Sequence, residues 1–82
     1  MHIYITMILS DCSCGQVVIV KDIVCNANLK RRLMELGFIK NAVIEIIDIS
    51  SFRHAYLIRL HNTLLALRKD VVKTIEVNKF YN

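Results

Sequence analysis

The sequence predicts a mainly β fold: a small barrel of short strands with one short α-helix at about residues 28–36 and a helical turn near residues 68–73. Three observations support it. Short β-branched runs outnumber helical segments about five to one, turn signals separate them, and no longer helix is present to serve as a crossover in a layered α/β fold. Because 82 residues can bury only one core, a single domain over residues 1–82 is expected.

Residues 3–9 are dense in Ile, Tyr, Thr and Met and read as an opening strand. "SDCSCGQ" is a turn around Gly15, and "QVVIVKDIV" at 16–24 is the next strand. Asn26 and Asn28 are both candidate helix caps, ahead of Leu29, Leu33 and Leu36 at i, i+4 and i+7. This spacing predicts that the three leucines turn inward together. Gly37 stands where a helix closes with a left-handed residue.

"AVIEIIDIS" at 42–50 and "AYLIRL" at 55–60 then suggest a hairpin across the polar "SFRH". His61, Asn62 and Thr63 supply a turn, "LLAL" a short strand, "RKDVVK" one helical turn and "TIEV" a closing strand.

Eleven basic and seven acidic residues give a net charge of +4. Residues 1–41 carry five basic and three acidic residues and residues 42–82 carry six and four, so there is no basic arm. A nucleic-acid binder gathers its charge on one face and stacks bases on exposed aromatics. Here Tyr4, Phe38, Phe52, Tyr56, Phe80 and Tyr81 are scattered. A small basic nucleic-acid-binding barrel is therefore the second reading.

The apolar opening stretch is shorter than the roughly 20 residues of a membrane span, and it lacks the basic start of a secretory signal. A cytoplasmic protein with reduced thiols is expected from Cys12, Cys14 and Cys25. Cys12-x-Cys14 suggests a thiol-based metal sensor as a third reading, but a closed site wants four ligands with a wider first spacing, so no metal is expected. His54 and His61 lie seven positions apart about "AYLIRL", roughly 23 Å along a strand, and cannot share an ion within a monomer. No phosphate loop, His–carboxylate metal motif or activated nucleophile is visible, so neither enzyme activity nor a cofactor is expected.

"LSDCSCGQVVIV", "RRLMELGFIKNAVIEI" and "LLALRKDVVKTIEV" occur in this order. The arrangement resembles the ferrous-iron transport protein A family, FeoA, over residues 9–77. It rests chiefly on the pairs Arg32-Leu33, Leu36-Gly37 and Leu67-Arg68. The family usually has Pro-Gly where this chain has Cys14-Gly15 and Lys40-Asn41, and Asn tolerates the left-handed conformation that the second turn needs.

The resemblance implies an SH3-like barrel that regulates bacterial ferrous-iron uptake. It would do so without enzyme activity, by docking onto the cytoplasmic GTPase part of a FeoB-type membrane transporter. Recruitment by that partner to the inner face of the membrane is expected, with no nucleic acid and no direct membrane insertion, and there is room for a weak homo-oligomer.

For partner binding the candidates are Met34, Phe38 and Ile39 as an apolar centre and Lys30 and Arg31 as a polar rim. Core packing competes for Phe38 and Ile39, and a solvated helical face competes for the basic triplet. Arg32, Leu33, Gly37 and Arg68 are read as structural. Arg32 would lay its stem over apolar surface and bond a carbonyl with its head, and Arg68 would bond backbone carbonyls or Asp70.

Overall fold

Alternating side chains in the central strands build the interior. Along Ala55–Leu60 the residues Tyr56, Ile58 and Leu60 are buried, and along Val43–Ile49 the residues Ile44 and Ile46 are buried. The period of two follows from the pleat, which sends successive side chains to opposite faces. The computed structural model describes residues 3–81. Its strands are β1 (Ile3–Ile8), β2 (Val17–Ile23), β3 (Val43–Ile49), β4 (Ala55–Leu60), β5 (Thr63–Arg68) and β6 (Ile75–Tyr81), and its helices are α1 (Ala27–Leu36) and the single turn α2 (Lys69–Val72). Two 3-10 turns, Leu9–Asp11 and Ser51–Arg53, complete it.

The strands form one antiparallel sheet in the order β1-β6-β2-β3-β4-β5. Two bulges curl it into a partly closed barrel. In β2 the register against β6 shifts between Val20 and Asp22, and in β3 the register against β4 shifts between Ile46 and Asp48. An extra residue bends and twists its strand. It also changes the inward phase, so β2 buries Val18 and Val20 before the bulge and Ile23 after it. α2 packs against β5, β4 and the turn at Leu9–Asp11, where Leu9 and Val72 are fully buried.

The helix begins as its cap predicts. The Asn26 Oδ1 accepts from the Leu29 N–H at 2.9 Å, so Asn26 is the cap, while Asn28 lies inside the helix. At the other end Gly37 adopts φ 114°. The Gly37 N–H donates to the Met34 carbonyl at 3.0 Å and the Phe38 N–H to the Leu33 carbonyl at 3.0 Å. This pair of bonds is a Schellman closure.

The closure corrects the predicted leucine stripe. Leu33 is buried and Leu29 half-buried against the core, but Leu36 is 53% exposed. The final residue of α1 faces solvent, and the left-handed residue turns the chain back so that Phe38 joins Leu33 in the core at 1% exposure. The inward position expected of Leu36 is thus occupied from the following turn.

Two further turns use left-handed residues. Asn41 has φ 74°, as its place in the second turn requires. His61 and Asn62 have φ 52° and 67° and form the two-residue hairpin between Leu60 and Thr63. Positive φ at both central residues matches the natural twist of the paired strands.

Candidate functional site

α1 lies beside β2 and the 38–40 loop. Together they wall a cleft of about 200 Å³ lined by Val20, Lys21, Asp22, Ile23, Lys30, Met34, Phe38, Ile39 and Lys40. Four of the five predicted partner-binding residues meet here. Met34 is 47% and Ile39 51% exposed, so both present apolar surface at the rim. Phe38 does not. Its ring belongs to the core and reaches the cleft only as part of the floor, which corrects its expected place at the exposed centre of an interface.

The charged groups are arranged around that surface. Lys30 stands 3.7 Å from Asp22 in a half-exposed pair, and Arg31 stands 3.8 Å from Glu35 one helical turn on. Exposed pairs of this kind stabilise little, so these side chains remain available to others. Arg31 is an exposed residue outside the cleft lining. Lys21 and Lys40 join Lys30, with Asp22 as the single acid, and the cleft is electropositive.

The predicted structural arginines point outward. Arg32 is exposed and its side chain forms no hydrogen bond or ion pair among the described residues, so the expected bond to a carbonyl is not made. Arg68 approaches Asp70 at 3.9 Å with 87% of its side chain exposed, and it clasps no carbonyl. Sequence reasoning missed the residue that does. The Arg53 Nη1 donates to the carbonyls of Ser10 at 3.3 Å and Cys12 at 3.2 Å, and the Tyr56 hydroxyl donates to the Ser10 carbonyl at 2.7 Å. Nothing in the pattern of "SFRH" distinguishes this arginine, because the carbonyls it clasps lie more than 40 positions away.

The remaining candidates separate in space. Cys12 is fully buried, Cys14 exposed and Cys25 intermediate, with no disulfide. Burial and the nearby Asp11 raise the Cys12 thiol above its ordinary value. Among the described residues no group of three or more His, Cys, Asp or Glu could hold a metal ion. Phe38 and Tyr56 are buried and Phe52 is 88% exposed, while the side chains of Tyr4, Phe80 and Tyr81 lie outside the described residues. Among the described residues no helix is long and apolar enough to cross a membrane. A second groove, of about 400 Å³, opens over Val17, Val43 and the Arg59–Glu45 pair. It collects none of the predicted residues.

The FeoA domain model matches residues 7–79. The chain belongs to the FeoA family. A relative from Campylobacter jejuni, named for Fe(2+) transport protein A, is 36% identical over 72 residues, covering 88% of this chain and 97% of its own. Among solved structures, the zinc-complexed FeoA of Stenotrophomonas maltophilia, a procaryotic SH3 domain protein, superposes with a TM-score of 0.76 at 28% identity. That match covers 87% of this chain and 88% of the other. A FeoA-like protein of Clostridium acetobutylicum gives a TM-score of 0.83 at 25% identity, covering 94% and 90%. The barrel of this FeoA protein is accordingly SH3-like.

Proposed function

We propose that this FeoA protein is a cytoplasmic accessory of bacterial ferrous-iron uptake that docks through the α1 cleft onto the cytoplasmic GTPase part of a FeoB-type transporter. It acts by binding and not by catalysis. Membership of a family named for ferrous-iron transport supports the role. The observation that carries the site is the exposed pair Met34 and Ile39 above the Phe38 floor, flanked by Lys21, Lys30 and Lys40.

The arrangement has the anatomy of a small interface. Apolar side chains at its centre lose water on docking and supply most of the affinity. The lysines at its rim accelerate encounter with an acidic partner more than they tighten the complex. Lys30 exchanges its weak contact with Asp22 for one across the interface, and Arg31 extends the positive rim along α1.

The test is co-purification with the full transporter from membranes solubilised at low salt, with and without guanine nucleotide. The wild type is expected in the transporter fraction, with the Lys30→Glu/Lys40→Glu variant recovered there in smaller amount. If the transporter never co-purifies under either nucleotide condition, the docking reading fails.

A further inference from the structure

The loop between β3 and β4 holds a phenylalanine in water. Phe52 is 88% exposed and has φ 59°, and Arg53 follows with φ 56°. Two successive bulky residues in the left-handed region are strained, and such strain persists only where the surroundings over-determine it. Here they do. The Ser50 N–H donates to the Ala55 carbonyl at 2.9 Å, and the Ala55 N–H donates to the Ser50 Oγ at 2.8 Å. Arg53 is tied to Ser10, Cys12 and Tyr56. The fold spends hydrogen bonds to keep one apolar ring projecting.

The ring stands beside a cationic cleft. Its centroid lies 6.2 Å from the His54 ring, and the Lys69 N–H donates to the His54 carbonyl at 3.0 Å, which draws α2 alongside. His54, Arg68, Lys69, Asp70 and Lys73 line the cleft. Asp11 offsets Arg53, and Asp70 offsets one of the other three cations, so about two positive charges remain beside Phe52.

We propose that this end of the barrel is a peripheral contact for an anionic phospholipid surface, with Phe52 entering the headgroup boundary and Arg68, Lys69 and Lys73 meeting phosphates. No other large exposed apolar residue lies on this loop or on α2, so a protein partner would find no continuous apolar centre. A bilayer needs none. Its headgroups rearrange around one protruding ring, and each cation near an anionic surface strengthens binding roughly fivefold. The contact is independent of the docking cleft. Gly37, at the end of α1, packs against Leu60 and His61, whereas Phe52 lies beyond Ala55, so the six-residue β4 separates the two surfaces by about 20 Å.

Sedimentation with lipid vesicles tests this on the whole protein. At low salt the wild type is expected to sediment with phosphatidylcholine vesicles containing about one-third phosphatidylglycerol and to remain in solution with pure phosphatidylcholine. Phe52→Asn keeps a residue that tolerates the left-handed region, so the variant should melt no lower than the wild type while binding the anionic vesicles about tenfold more weakly. Lys69→Glu/Lys73→Glu should abolish the sedimentation. The proposal is overturned if the wild type stays in solution with anionic vesicles, the result an acidic protein partner for this surface would give. It is equally overturned if Phe52→Asn binds them as tightly as the wild type.

Discussion

At Gly37 a missing side chain decides how the polypeptide leaves α1. A Cβ there would meet the His61 Cδ2 at 3.1 Å and the Leu60 Cδ2 at 3.3 Å, on a backbone with φ 114°. Gly37→Val should therefore cost roughly 1–3 kcal/mol through backbone strain alone, with a further loss if Phe38 is dislodged. Urea denaturation checks it, and an unchanged midpoint would contradict the Schellman closure. The cysteines offer a second test at this scale. Cys14 is exposed and Cys12 fully buried with a raised pKa, so iodoacetamide should label Cys14 quickly and Cys12 only on unfolding. The sign for stability follows from the same shift. A thiol whose pKa is higher in the folded state contributes stability that is whole below the unfolded value near 9.0 and is lost as pH rises through the folded one. Melting temperature should fall with pH above about 9, and less steeply in Cys12→Ala.

Within α1, the capping residue and the inward leucine are separable contributions. Asn26→Ala removes the bond to the Leu29 N–H and should cost about 1 kcal/mol. Leu33→Ala empties a core position and should cost about 2–5 kcal/mol, while exposed Leu36→Ala should stay within about 0.5 kcal/mol. Chemical denaturation of the three variants measures all of this, and a large loss for Leu36→Ala would restore the stripe that the helical spacing suggests. The difference shows what periodicity can carry. A recurrence at i, i+4 and i+7 identifies one face of α1, but whether that face meets the barrel along its whole length depends on where the sheet ends. Strands were legible because β-branched runs and turn residues such as Asn41, His61 and Asn62 act locally. The bulges in β2 and β3, and the clasp of Arg53 on Ser10 and Cys12, join residues distant in sequence and leave no local mark. For the candidate site, Met34 and Ile39 could be read as apolar positions beside the stripe. That Phe38 forms its floor followed only from the turn at Gly37.

For the molecule as a whole, the barrel separates its surfaces. α1 and the 38–40 loop present an apolar cleft edged with lysines at one end of β4, and the strained loop with its cationic neighbours occupies the other. A rigid sheet between them holds their relative orientation, so a protein bound to the first and a lipid surface met by the second could be engaged at once. In the proposed docking the exposed apolar pair supplies more of the energy than the basic triplet of α1. The most direct measurement is the affinity of the purified protein for the detergent-solubilised transporter, compared between the wild type and Met34→Asp/Ile39→Asp. Circular dichroism should confirm that both are folded. The variant is expected to lose binding by tenfold or more while keeping its melting temperature, as roughly half-exposed side chains allow. A folded variant that binds as tightly as the wild type would contradict it.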